Sequence, residues 1–246
     1  MKYLGSKSRI SKFILPLVLQ NRYPHQYYVE PFAGGMNMME NVRGNRIASD
    51  KNIFLIEMWK SLTNSVVFPN EISKELYVEA RTEYRNGTRE NFTTAEIGWI
   101  GWMGSFNGKF YDGGYSGKTE TRNYVTEQIR NTKKQIASLF GVEFQSGDYF
   151  DIIVPENSII YCDPPYKNTT QYATSKNFDY DKFWNWVRTM TKKGHIVYVS
   201  EYSAPDDFIS IWKKELINSM SLTTTTMAVE NLFIHNTQDS QIKTFW

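Results

Sequence analysis

Sulfur chemistry is almost missing from this chain. Its 246 residues include one cysteine, Cys162. That excludes an internal disulfide framework and a cysteine zinc cluster, and a reducing compartment, the cytoplasm, is expected. Histidine is nearly as scarce: His25, His195 and His235 lie far apart without ligand spacing, so no metal site is expected. No apolar run reaches the roughly 20 residues of a membrane span. The opening residues, MKYLGSKSRI, lack the apolar core of a secretory signal. Excess charge is absent too, and a net charge of +2 allows nucleic-acid binding without arguing for it. There is no P-loop and no internal repeat. The first predicted strand is not followed by a full G-x-G-x-x-G, which counts against a dinucleotide oxidoreductase.

What the chain does have is flat side chains and an alternating pattern. Seven tryptophans and sixteen tyrosines suit a core and also suit base stacking. Apolar positions at Ile10, Phe13, Ile14, Leu17 and Val18 predict a helix over 8–19, with Ser6 or Ser8 as cap and Pro16 disturbing its end. QYYVEPF (26–32) reads as a strand, AGGMN as a glycine turn into a helix, and NRIASDKN (45–52) as a second strand. A helix follows from Ile53, with more near 71–86, 94–103 and 125–140, the last facing Ile129, Ile136 and Phe140 inward. Residues 104–124, rich in glycine, tyrosine, asparagine and cations, have no period and read as loop or hairpin. Then come a strand ending near Asp148, the strand SIIYC, and a helix with Phe183, Trp186, Val187 and Met190 on one face. HIVYVSEYSAP is a strand, DDFISIWKK a further helix, SLTTTTMAVENLFIHN a strand–loop–strand, and QIKTFW a closing edge strand. Strands alternating with helices predict an α/β fold around a mostly parallel sheet, with 59–139 inserted into a discontinuous domain formed by 1–58 and 140–246.

Four short segments fall at predicted strand ends. VEPFAGG (29–35) is a strand running into a glycine turn, which lets backbone approach a ligand closely. Asp50 ends the next strand, where a carboxylate can accept ribose hydroxyls. Asp148 ends another. Each of these, taken singly, is also what a tight turn or a helix cap would carry. The fourth is Asp163-Pro164-Pro165-Tyr166. Two prolines remove two backbone donors and fix two φ angles, so the strand must stop in a rigid corner. That corner carries a carboxylate, an aromatic ring and stiff carbonyls at the edge where α/β sheets bind ligands. Cys162, inside the preceding strand, reads as buried filler.

This combination resembles the Dam-like DNA N6-adenine methyltransferases, the D12 class, alpha group. The resemblance covers nearly the whole chain. It implies a Rossmann-like fold, S-adenosylmethionine as cofactor, and double-stranded DNA as partner, with no membrane and no metal. KYLGSKSRI resembles the family's N-terminal motif and implies cofactor contacts by Tyr3 and Lys7. VEPFAGG matches its cofactor loop and adds Glu30, Phe32, Ala33, Gly34 and Gly35. SDKN supplies Asp50, and GDYF supplies Asp148 and Tyr149 beside the cofactor adenine. Asp163, Pro164, Pro165 and Tyr166 become the catalytic corner, with Asp163 also bordering the cofactor. Phe106-Asn107-Gly108 resembles the Tyr-Asn-Gly of the target-recognition element, so residues 59–139 are expected to read DNA. Lys109, Lys118, Arg122 and Lys133 are candidates for phosphate. Asn107 and Asn123 are candidates for base edges, and Phe106 for a wedge in the base stack. Phe178 either packs in the core or closes over the flipped base. One departure stands out: Met36 occupies a position where the family usually has glycine. An RNA adenine methyltransferase and a non-catalytic DNA-binding module are the alternatives. The order of motifs and the inserted segment favour DNA, and the intact corner favours catalysis.

Overall fold

The computed structural model describes residues 1–167, 177–218 and 226–241. Seven strands form one sheet in the order β3-β2-β1-β4-β5-β7-β6. They are β1 (Tyr28–Glu30), β2 (Arg46–Asp50), β3 (Val142–Ser146), β4 (Ile159–Cys162), β5 (Ile196–Glu201), β6 (Phe208–Asn218) and β7 (Thr226–His235). The first five are parallel, while β7 runs antiparallel to both β5 and β6. The helices are α1 (Ser11–Leu19), α2 (Ile53–Thr63), α3 (Lys74–Asn86), α4 (Thr94–Gly104), α5 (Tyr124–Leu139) and α6 (Tyr180–Lys192). This is the α/β architecture expected of a Rossmann-like methyltransferase, closed by an antiparallel pair. No described helix is long and apolar enough to cross a membrane.

The period of two along each strand builds two cores, one per face of the sheet. Tyr28, Ala48, Ile159, Tyr161 and Tyr198 face one core, shared with helices α1 to α5. Val29, Ile47, Ile160, Cys162, Val197 and Val199 face the other, shared with Phe183, Trp184, Val187 and Met190 of α6. Adjacent β1 and β4 begin in register, Tyr28 opposite Ile159 and Val29 opposite Ile160. From β1 the chain moves outward to β2, and from β4 outward the other way to β5. Their ends therefore flank the crevice where the winding reverses, the usual ligand site of an open parallel sheet.

Several local expectations are corrected. The helix expected at DDFISIWKK is strand β6: its nine residues contain two isoleucines, a phenylalanine and a tryptophan, and the ladder with β7 satisfies their backbone. No helix follows the glycine turn; after Met36 there is only a single 3₁₀ turn, Met39–Asn41, before extended Val42. Phe140 is 52% exposed because α5 stops at Leu139 and Phe140 has already turned to extended ψ. On α6, Trp184 takes the buried position expected for Trp186, which is half-buried. Thr226–His235 is one continuous strand on the C-terminal side of 219–225, which lie outside the described residues. Gln241 ends a 3₁₀ turn, and the rest of QIKTFW also lies outside them. Pro16 sits inside α1, which runs on to Leu19.

Candidate active site

The glycine turn leaves β1 with Ala33 N–H donating to the Ser49 carbonyl at 2.9 Å. Gly34 has φ +48°, and its N–H donates to Asp50 Oδ2 at 3.0 Å. Asp50 Oδ1 accepts from Asn52 N–H at 2.9 Å. Asp50 thus laces the turn to the end of β2, while Asn52 caps α2. Burial raises the Asp50 pKa, and these two N–H bonds oppose the rise. The close approach that the glycines allow is made by Tyr3: a Cβ on Gly34 would stand 2.9 Å from its ring, and one on Gly35 2.7 Å from its Cβ. Tyr3 in turn rests on Trp102, with ring centroids 5.0 Å apart. Met36 adopts φ +59° with its side chain fully buried. The backbone has the left-handed shape a glycine would take, so the departure at Met36 changes the side chain and not the course of the turn.

Beyond the turn, Phe32, Tyr149, Phe178 and Phe183 form an aromatic wall on the α6 face, Phe32 lying 5.5 Å from Tyr149 and 6.0 Å from Phe178. Phe178 belongs to that wall, which is its core-packing reading. Asp148 lies at its rim and accepts from Lys51 Nζ at 3.0 Å.

The other face of the sheet gathers charge. Glu30 and Asp163 continue the rows of Tyr28 and Tyr161, and Lys7 reaches them from the N-terminal segment. Lys7 Nζ lies 2.8 Å from Asp163 Oδ1 and 3.7 Å from Glu230 Oε1, and 4.4 Å above the Tyr166 ring. The Tyr166 hydroxyl donates to Glu230 Oε1, and the Tyr202 ring meets Tyr166 edge-on at 4.7 Å. Glu201 Oε1 accepts from Lys167 N–H at 2.8 Å, which pins the peptide just after the corner. Burial raises the Asp163 pKa against the pull of the Lys7 ammonium. Burial disfavours the Lys7 charge, but Asp163 and Glu230 outweigh it and the Lys7 pKa is raised. Lys7, expected against the cofactor, contacts Asp163 and Tyr166 of the Asp-Pro-Pro-Tyr corner.

Glu30 is the outlier. Burial pushes its pKa up to about 8, with the Tyr28 hydroxyl opposing. Its Oε1 is buried and has no hydrogen-bond partner among the described residues. A cofactor with an ammonium, a ribose and an adenine fits this arrangement. The orphaned Glu30 oxygen suits the ammonium, the remaining lone pairs of Asp50 suit the ribose, and the aromatic wall suits the adenine.

The expected DNA-contacting residues fall into two sets. Phe106 is 53% exposed on a tight turn, Phe106–Gly108, with Asn107 at φ +55° and Gly108 at φ +67°. A Cβ on Gly108 would lie 2.6 Å from the Lys2 carbonyl, so this turn is seated on the N-terminal segment beside Tyr3. Lys109 is half-buried next to it. Lys118 is exposed and pairs across a short bridge with Asn123. Arg122 is instead clamped by Glu127 through two bonds of 2.6 and 2.7 Å. Asn123 is occupied as the N-cap of α5, accepting from Thr126 N–H, and Lys133 contacts Asn70 Oδ1. His195 accepts from Ser158 N–H at 3.2 Å, and His235 lies 3.3 Å from Asp207. No cluster of metal-ligating side chains exists among the described residues.

Sequence reasoning missed Glu201 and Glu230. The signal for Glu230 was a lone acid in the apolar run AVENLFI, and for Glu201 a carboxylate ending a strand.

Comparisons with known proteins bear on this geometry. The family model for D12 class N6 adenine-specific DNA methyltransferases matches residues 3–231. Among solved structures, the rRNA methyltransferase aviRa from Streptomyces viridochromogenes is similar at 11% identity and a TM-score of 0.42, over 95% of this chain and 86% of that one. SMU.472, a putative methyltransferase complexed with SAH, is similar at 10% identity and a TM-score of 0.37, over 95% of this chain and 54% of that one. The chain belongs to the D12 class of N6 adenine-specific DNA methyltransferases, enzymes that methylate DNA adenine with S-adenosylmethionine.

Proposed function

We propose that the Asp163–Tyr166 corner performs this methylation on an adenine flipped out of double-stranded DNA, in the cytoplasm. The observation that carries the reading is the placement of two motifs at neighbouring strand ends. The glycine turn leaves β1 and the corner leaves β4, side by side where the sheet's winding reverses. When bound, S-adenosylmethionine supplies an electrophilic methyl group on a sulfonium. Tyr3, Phe32, Ala33, Gly34 and Gly35 shape its site, Glu30 and Asp50 hold its polar ends, and Asp148 and Tyr149 border its adenine.

Adenine N6 is a poor nucleophile because its lone pair is delocalised into the ring. Two acceptors facing its two hydrogens favour the tetrahedral geometry that attack requires. The Asp163 carboxylate is one and the Pro164 carbonyl, stiffened by two proline rings, is the other. They also stabilise the positive charge that develops on N6. Once N6 has accepted the methyl group the cofactor would supply, Asp163 would take the proton N6 sheds, because burial makes its carboxylate more basic than an exposed aspartate. Flipping costs a few kcal/mol; stacking on Tyr166 returns about 1–3 kcal/mol. Residues 59–139 serve as the target-recognition region. Phe106 wedges into the stack, Asn107 reads a base edge, and Lys109 and Lys118 hold phosphates. Arg122 joins them once Glu127 releases it, and Asn123 acts through the start of α5.

The test is incubation with tritiated S-adenosylmethionine and unmethylated double-stranded DNA, beside D163A, with the labelled nucleoside identified after digestion. Label on N6-methyladenine, lost in D163A, is the expected result. Label on RNA alone, or label on DNA that survives D163A, would overturn the reading.

A further inference from the structure

Lys7 occupies what the target adenine needs. Under the reading above, on which this inference rests, the adenine amino group must donate to Asp163 and the base must lie on Tyr166. Lys7 Nζ is 2.8 Å from Asp163 Oδ1 and sits over the Tyr166 ring. A carboxylate oxygen already accepting from an ammonium is a weaker acceptor for N6. A cation beside N6 also opposes the positive charge that methylation develops there. Moving the Lys7 ammonium off Asp163 therefore favours the reaction, both by freeing Oδ1 and by removing a cation from beside N6.

Besides Asp163, the Gly5 carbonyl at 3.4 Å and Glu230 stand near Lys7 Nζ, and of these only Glu230 offers a charge. The Lys7 side chain is 10% exposed, so water is not at hand. Glu201 holds two backbone N–H groups, Lys167 on Oε1 and Tyr202 on Oε2, and the ion pairs of Lys7 are with Asp163 and Glu230 instead. Glu30 lies near Asp163 and is suited to the cofactor's ammonium. Tyr161 and Tyr202, the other titratable groups here, bring hydroxyls rather than carboxylates. Glu230 Oε1 stands 3.7 Å from Lys7 Nζ, within a movement of about one ångström of a full hydrogen bond. Its place follows from the strand period. Glu230, 3% exposed, shares the core-facing row of β7 with Leu232 and Ile234, while Val229 points outward. An acid is held in that row although burial disfavours it. The same Oε1 accepts the Tyr166 hydroxyl.

We propose that Glu230 is a positioning residue for methyl transfer: it takes the Lys7 ammonium from Asp163 as the adenine enters, and it holds Tyr166 by the hydroxyl during the exchange. Glu230 acts through Lys7 and Tyr166 and touches neither substrate nor cofactor.

The test is a double-mutant cycle in the full chain, using E230Q, K7Q and the double variant, with D163A as control. Single-turnover rates are measured at saturating S-adenosylmethionine and DNA, and cofactor affinity by calorimetry. The amide introduced by E230Q can still accept the Tyr166 hydroxyl but no longer attracts Lys7. The rate in E230Q is expected to fall about 10- to 100-fold, as for loss of a charge-assisted contact, with cofactor affinity and Tm unchanged. Adding K7Q is expected to restore rate relative to E230Q, because Asp163 is then free. A purely structural role would instead lower Tm in E230Q and leave the single-turnover rate of the folded enzyme near wild type. Wild-type rate in E230Q, or an equal cost of E230Q with and without Lys7, overturns the proposal. Should E230Q melt far below the wild type, E230D replaces it in the same cycle, and additivity with K7Q overturns the proposal there too. An active D163A would instead sink the underlying assignment of the corner, which separates the two failures.

Discussion

Met36 tests whether the cofactor turn is governed by backbone shape or by side-chain burial. It combines φ +59° with a fully buried side chain. A left-handed conformation costs a non-glycine residue roughly 1–2 kcal/mol. Truncating a fully buried methionine to alanine costs about 2–5 kcal/mol. M36A loses the packing and keeps the strain, so it should fall below the wild type by about 2–5 kcal/mol. M36G loses the same packing but relieves the strain, so its deficit should be about 1–4 kcal/mol. Ordinarily glycine is worse than alanine by roughly 0.5–1 kcal/mol. At position 36 the order should invert, with M36G the more stable by about 1 kcal/mol. Urea unfolding of both variants at matched slopes measures this directly. M36A as stable as M36G, or more so, would refute the argument that strain is stored at this turn. Cofactor affinity should change little in M36G, since the turn already follows a glycine-like path.

Four further outcomes are expected. Glu30 holds its proton to about 8 in the folded chain against 4.5 ordinarily, so between these values the native state binds more protons than the unfolded one and stability falls as pH rises; thermal melts from pH 5 to 8 should show this slope, and E30Q should flatten it. Because an ionised Glu30 is the form that pairs with an ammonium, cofactor affinity by calorimetry should rise over the same window in the wild type and not in E30Q. D163N should keep cofactor affinity and lose at least about 100-fold in rate, as for removal of a preorganised acceptor of developing charge. F106A should leave Tm unchanged, since Phe106 is mostly exposed, while the fluorescence rise of a 2-aminopurine placed at the target adenine, which reports flipping, should shrink.

The parts legible in the sequence were those with local causes. A diproline must end a strand, glycines mark a turn, and a carboxylate after an apolar run marks a strand end; these rules located the corner, the glycine turn and the end of β2 without any knowledge of pairing, while their expected roles came from the family resemblance. Elements whose causes are distant were misread. FISIWKK could be helix or strand by its own residues, and only the ladder to β7, closed beyond a segment of the chain that adds no local cue, made it a strand. The same distance hid Glu230, whose partners Lys7 and Tyr166 precede it by 223 and 64 residues. Arg122 shows the converse: a cation in an irregular, glycine-rich segment looks free for phosphate, yet a carboxylate five residues on, across the start of α5, already holds it. In this fold the strand ends announce which chemistry is present, because each end is written in consecutive residues. The contacts around that corner are not local: a lysine from the N-terminal segment and a glutamate from β7 meet Asp163 only when the sheet brings β4, β5 and β7 side by side.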